Sequence, residues 1–179
     1  MFINEYGNRN DPTVILLAPM MISGSDLYSQ MSPFLQDAYH IIAPDQGGHG
    51  KAGAYINADE EYRTLKSFLL ETCCTNIELV YGASMGVAVA YRLFMDPEFT
   101  VNHACCHYDL RKLTDEEQRK LHLDFGEKDF DLKLSRKAIP VYMPKAELTI
   151  RPGYQHCGYM AAHPKEYVEE IEQFIGRSV

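Results

Sequence analysis

Three short apolar runs, at residues 14–18, 40–43 and 77–81, are bounded by turn residues and separated by stretches of helical spacing. Near-continuous runs of this length, rich in Val, Ile and Leu, are the pattern of strands buried on both faces of a parallel sheet. The intervening stretches, 27–35 and 59–73, read as helices; in the second, Tyr62, Leu65, Phe68 and Leu69 recur at three- and four-residue intervals on one face. Residues 85–95 are apolar enough for a buried helix, which Asp96-Pro97 ends because the residue before proline is pushed out of the α region. Strands at 102–108, 121–125 and 148–150 follow, with helices at 114–120 and 132–142 between them. A closing helix over 164–175 sets Tyr167, Val168, Ile171, Phe174 and Ile175 along one stripe. Such alternation predicts the α/β class, with a mostly parallel, doubly wound sheet covered by helices on both faces. Ligands in such a fold bind beyond the carboxyl ends of the strands. No repeat or linker interrupts residues 1–179, so one domain is expected.

Composition narrows the partners. The chain has 179 residues, 46% of them hydrophobic, enough for a full core without disulfide or metal staples. Its 25 acidic and 17 basic residues give a net charge of −8, and a field of that sign repels a phosphate backbone or an anionic membrane. Neither nucleic acid nor membrane is expected as a partner. The first residues lack a basic stretch followed by an apolar run, and no window reaches the eighteen or so apolar residues a spanning helix needs. Five cysteines, Cys73, Cys74, Cys105, Cys106 and Cys157, are an odd number in two adjacent pairs and a single, a poor disulfide framework. A cytoplasmic protein is the expectation.

Chemistry is carried first by Gly82-Ala83-Ser84-Met85-Gly86, which lies directly between the strand 77–81 and the helix 85–95. This is the context that a G-x-S-x-G nucleophile elbow requires. Glycines flank the serine because a sharp strand-to-helix turn brings neighbouring backbones too close for side chains. A serine hydroxyl needs a base within hydrogen-bond reach. Of seven histidines, His156 lies in the loop between the last strand and the last helix, on the rim where Ser84 is expected. Asp129 follows the strand 121–125 through the turn Gly126-Glu127-Lys128 and reaches the same rim; Asp109 and Asp131 are the alternatives for the acid. The chain order Ser84, Asp129, His156 is the order this elbow predicts.

Taken together, these segments resemble the α/β-hydrolase superfamily from about Phe2 to Ile175. Residues 42–50 resemble its D-x-x-G-x-G segment, 82–86 its elbow, 125–129 its acid turn, and Tyr154-Gln155-His156 with His163-Pro164 its closing segment. The resemblance implies a catalytic triad and an oxyanion hole formed by the backbone N–H of Met85 and that of Met20. Where relatives commonly carry His-Gly after the first buried strand, this chain has Ala18-Pro19, which leaves the second donor open. Relatives also commonly carry a cap domain after the sixth strand. Only a short stretch separates Tyr108 from Leu121 here, so the cap is minimal.

Other patterns weigh less. His103-Ala-Cys-Cys-His107 invites a zinc reading, but in a strand His103, Cys105 and His107 face one side and Cys106 the other, so no tetrahedral set forms. Gly48, Gly50 and Gly53 match the dinucleotide fingerprint as a lone pattern, and the D-x-x-G-x-G reading accounts for the same glycines. Neither a metal nor a cofactor is expected, and His49, between glycines, reads as structural. The leading function is cleavage of a small carboxylic ester or related acyl substrate by Ser84, His156 and Asp129. Met21, Tyr108, Tyr159 and Met160 are the candidate pocket, and a homo-oligomer remains open. The rival readings are a ligand-binding protein that keeps the fold without turnover, and a cofactor-free lyase or perhydrolase of the same fold.

Overall fold

The computed structural model describes residues 1–35, 37–105 and 113–176. In chain order the first half comprises β1 (Glu5–Tyr6), β2 (Thr13–Leu17), α1 (Gly24–Met31), β3 (His40–Ile42), α2 (Ala58–Glu71), β4 (Asn76–Gly82) and α3 (Val87–Phe94). The second half comprises β5 (Thr100–Cys105), α4 (Asp115–Arg119), β6 (Leu121–Gly126), α5 (Phe130–Ser135), α6 (Ile139–Tyr142), β7 (Glu147–Arg151), α7 (Gly158–Ala162) and α8 (Pro164–Phe174). The sheet order is β1-β3-β2-β4-β5-β6-β7, parallel throughout except for β1, which runs antiparallel to β3.

Alternate side chains of the strands feed two apolar layers. Ile15 and Leu17 pack in one layer with Leu65 and Leu69 of α2 and with Ala90 and Leu93 of α3. Val14 and Leu16 pack in the other with Leu27 and Met31 of α1 and with Val168 and Ile171 of α8. Each fully buried Leu or Ile stabilises the fold by roughly 1.5–3 kcal/mol, so the uninterrupted apolar run of β2 is what fixes it at the sheet centre. A register shift between Thr13 and Val14 places Thr13 opposite Ile77 and Val14 opposite Leu79. Glu78 is thereby the extra residue, which is why Ile77 and Leu79 fall in opposite layers.

Several expected boundaries shift. The helix expected over 27–35 starts at Gly24, because Ser23 forms a capping box with Asp26, and ends at Met31. The helix expected over 132–142 is two short ones, α5 and α6, and Pro140 lies in the first turn of the second. The loop carrying His156 contains a further helix, α7, and the edge strand β1 carries no apolar signal that would announce it. The strand expected over 102–108 runs from Thr100 to Cys105; Tyr108 and Asp109 lie outside the described residues. Between β5 and β6 the described part consists of residues 113–120, holding only the five-residue α4.

The chain runs from β2 outward to β3 and then crosses back to β4 on the other side of β2. The order therefore reverses between β2 and β4, whose carboxyl ends are level, Leu17 facing Gly82. A doubly wound sheet opens its ligand crevice at this point, between the loops that leave those two strands.

Candidate active site

Ser84 stands at the switch point. It leaves β4 with φ 48°, a left-handed conformation that only glycine adopts without strain, and opens the 3₁₀ turn Ser84–Gly86 leading into α3. The flanking glycines are demanded by packing. A Cβ on Gly86 would strike the Leu17 carbonyl of β2, and one on Gly82 would come within 2.7 Å of Ala90 Cβ in α3. Ala83 N–H donates to Leu17 O at 3.0 Å and Gly86 N–H to Ala83 O at 2.9 Å, so the turn is bonded on both sides of an exposed serine. Met85 is the second residue of this turn, where N–H groups have no intrahelical acceptor.

The acid turn and the histidine loop are joined along their backbones. Glu127 N–H donates to Arg151 O and Lys128 N–H to Tyr154 O, both at 2.9 Å, and Gly153 N–H reaches Glu127 Oε2 at 2.9 Å. Gly126 lies so close to this loop that a Cβ there would overlap the carbonyls of Gln155 and Tyr154. Held in this way, His156 Nδ1 lies 2.8 Å from Asp129 Oδ2. Asp129 is 3% exposed and caps α5, its Oδ1 accepting from Asp131 N–H at 2.8 Å, so both carboxylate oxygens have fixed partners. Asp131 Oδ2 is farther from the same imidazole nitrogen, at 3.7 Å.

Behind these groups Arg151, at the end of β7, binds Asp124 Oδ2 through Nε at 2.8 Å and Nη2 at 2.6 Å. It also binds Glu170 of α8, and it lies over the Tyr159 ring at 4.1 Å. Burial pushes the Asp124 carboxyl above its ordinary range, and the guanidinium works in the opposite direction. Arg151 in turn is held more firmly protonated by the two carboxylates, against the effect of its own burial. Burial and the neighbouring carboxylates of Asp129, Asp124 and Asp131 push the Cys157 thiol up to about 11. A thiol so placed stays protonated at neutral pH.

A cavity of ≈ 40 Å³ is lined by Ser84, Asp129 and His156, with Tyr159 and Met160 also lining it. The volume holds a methyl-sized group or one to three waters. Met20 and Met21, 61% and 86% exposed on the loop after β2, do not line this cavity, so Met21 is not among its pocket residues. The reason is local, because Met21 has φ 74° and its loop turns the side chain outward. Sequence reasoning missed Tyr81, Cys105, His122, Asp124 and Cys157 as lining residues. Four of them are strand residues, and which ones reach the crevice depends on register rather than residue type.

Asp129, Asp131 and His156 could also present three ligand atoms within 4.8 Å of one another. An ion there would have to displace the His156–Asp129 hydrogen bond. The helix that a dinucleotide site would need after Gly48 and Gly50 starts only at Ala58, and the amides of Gly47, Gly48, His49 and Lys51 are already bonded to Glu61, Gly53, Gln46 and Asp45. Of the segment His103–His107, read as strand rather than zinc site, His103 packs edge-on to Phe174 and Cys105 is buried; Cys106 and His107 lie outside the described residues.

No family model and no curated protein matches the sequence. Solved structures do match. An esterase from Exiguobacterium antarcticum superposes with a TM-score of 0.74 at 13% identity, over 97% of this chain and 94% of that one. Carboxylesterase CesB from Bacillus subtilis gives 0.73 at 15% identity, over 97% and 86%. A protein from Desulfitobacterium hafniense described as belonging to the alpha/beta hydrolase family gives 0.78 at 12% identity, over 97% and 99%. With the reversed strand order, the elbow after β4 and these likenesses, the chain has the α/β-hydrolase fold.

Proposed function

We propose that the chain is a serine hydrolase that cleaves small carboxylic esters through an acyl-enzyme. The observation that carries this reading is the His156 Nδ1 to Asp129 Oδ2 contact at 2.8 Å, in a cavity that is also lined by a serine at φ 48°. An aspartate on Nδ1 fixes the tautomer with its proton there and leaves Nε2 as the working nitrogen. Nε2 takes the proton of Ser84 as Oγ attacks the ester carbonyl carbon. The N–H groups of Met85 and Met20 receive the oxyanion that develops. Collapse breaks the bond to the alkoxy group, which leaves as alcohol with the proton from His156. Water then adds to the acyl-enzyme by the same route and releases the acid and free Ser84.

The names of the neighbours, an esterase and a carboxylesterase, support an ester as the substrate class. The ≈ 40 Å³ cavity favours a short acyl group. A cytoplasmic location fits Cys73, Cys74, Cys105 and Cys157, which form no disulfide, and among the described residues no helix is long and apolar enough to cross a membrane. A fluorophosphonate probe should label Ser84 in the native chain and not in Ser84→Ala, and p-nitrophenyl acetate should be turned over only by the native chain. Turnover that survives in Ser84→Ala would reject the assignment. Labelling without turnover of any ester would favour a protein that binds without catalysing.

A further inference from the structure

We infer that His49 is the positioning residue that sets the second oxyanion donor, an inference that rests on Ser84 being the nucleophile. The loop from Ala18 to Ser23 carries Met20, and its own contacts do little to hold it. Pro19 has no N–H, Met20 and Met21 are 61% and 86% exposed, and the turn closes on a long Ile22 N–H to Pro19 O bond of 3.4 Å. Met21 also sits at φ 74°, a strained conformation for a non-glycine residue that persists only where surroundings impose it.

The imposition comes from the loop after β3. Gln46 Nε2 donates to Ala18 O at 2.8 Å on one side of Met20, and Met21 N–H donates to His49 Nε2 at 3.0 Å on the other. His49 Nδ1 lies 3.0 Å from Gly47 O. A carbonyl can only accept, so Nδ1 carries the proton, and Nε2 is left bare to accept from Met21. A single neutral tautomer satisfies both bonds.

The platform beneath His49 is itself fixed. Asp45, fully buried, accepts from Lys51 N–H at 2.9 Å, Ser25 N–H at 3.1 Å and Asn4 Nδ2 at 2.9 Å; Glu61 accepts from Gly47 N–H at 3.1 Å. Gly50, at φ 52°, lies against Asp45 where a Cβ would overlap the carboxylate. His49 therefore projects from a rigid turn and occupies the Met21 N–H. With that amide bound to the imidazole, Met20 is left as the donor this loop offers. The same bond replaces what Ala18-Pro19 cannot provide by itself.

The test uses the full chain, with kcat and KM for p-nitrophenyl acetate and the affinity for a trifluoromethyl ketone, whose adduct with Ser84 places an oxyanion in the hole. Loss of a whole donor costs about 10²- to 10³-fold, so a loop freed to sample other conformations should cost about 10- to 100-fold. His49→Ala should lower kcat by that factor with KM nearly unchanged and weaken the ketone in parallel. His49→Gln, whose Oε1 can accept from Met21 N–H, should restore most of both. The inference is overturned if His49→Ala keeps the native kcat, if its loss falls on KM alone, or if His49→Gln is no better than His49→Ala. A native chain that neither takes a fluorophosphonate at Ser84 nor turns over the ester overturns the reading of the site itself, a separate outcome seen before any His49 variant is made.

Discussion

Ser84 pays for its exposed position with its backbone. A non-glycine residue in the left-handed region costs roughly 1–2 kcal/mol, and the bonds from Ala83 to Leu17 and from Gly86 to Ala83 hold it there. Two substitutions should therefore separate strain from chemistry. Ser84→Ala is expected to lose about 10⁴- to 10⁶-fold of kcat with its melting temperature nearly unchanged, because the strain remains. Ser84→Gly should be as inactive and yet more stable by up to about 1 kcal/mol, since relief of strain exceeds the entropy that glycine adds to the unfolded chain. Urea titrations of the three proteins check this, and a Ser84→Gly chain less stable than Ser84→Ala would show that the elbow is not strained. At the same scale, Asp129→Asn should lose about 10³- to 10⁴-fold of kcat and Asp131→Asn only a few-fold, as 2.8 Å and 3.7 Å from His156 Nδ1 imply. Equal losses would mean that the two carboxylates share the role.

Between elements, the site depends on how the turn after β6 fits the loop after β7. Gly126→Ala should push the Gln155 and Tyr154 carbonyls away and move His156 from its aspartate. An ångström of displacement at a catalytic group is worth about 10²-fold, the expected loss in kcat, with Ser84 and the sheet intact by circular dichroism. Arg151 joins the same two strands to α8, and Arg151→Leu leaves the partly buried Asp124 without its cation. Removing one partner of a partly buried pair leaves the other charge poorly solvated and destabilises the fold. Asp124 already has its folded-state pKa raised by burial, so its contribution is fully present below its unfolded pKa and is lost as pH rises through the folded one. Without the opposing guanidinium that pKa rises further. The variant should thus lose stability relative to native as pH increases from about 4 to 7, and adding Asp124→Asn should flatten the difference. Denaturation midpoints across that range are the measurement.

How much of this was legible from the sequence also differs between elements. The central strands announce themselves because both faces are buried and an apolar run fills them, as Val14 to Leu17 do in β2. The elbow announces itself because only glycine fits beside Leu17 and Ala90. By contrast β1 is two residues of mixed polarity held by pairing with β3, and α7 begins after Cys157 at φ 54°, a conformation no local propensity favours. Asp129 and His156 were legible as residues on one rim, but their pairing depends on backbone bonds between two loops distant in sequence. The cavity lining was the least legible part, since Tyr81, Cys105, His122 and Asp124 enter it through strand register and leave no periodic mark.

For the molecule as a whole, the connection from β5 to β6 limits what can cover Ser84. All of it lies within residues 106–120, and its one described helix, α4, has five residues, too few for a lid of several helices. Around the carboxyl ends of the strands, Met20 and Met21 stand exposed on the loop that leaves β2 and Phe130 at the start of α5, so the apolar rim faces water. Water left in a site weakens the electrostatic contacts that stabilise an oxyanion, and among the described residues between β5 and β6 there is no lid to expel it by closing. Long acyl chains would gain contact with the rim methionines, but that contact is the same in ground and transition state and lowers KM without raising kcat. Across p-nitrophenyl esters from acetyl to dodecanoyl, kcat is therefore expected to be highest for the shortest chains and to show no jump where the ester begins to form micelles. Specific activity should also stay level over about a hundredfold dilution, because an open site completes itself within one chain. A rate that rises steeply on aggregated ester would reveal a cover that opens at an interface, and a specific activity that falls on dilution would reveal a second copy lying over the rim.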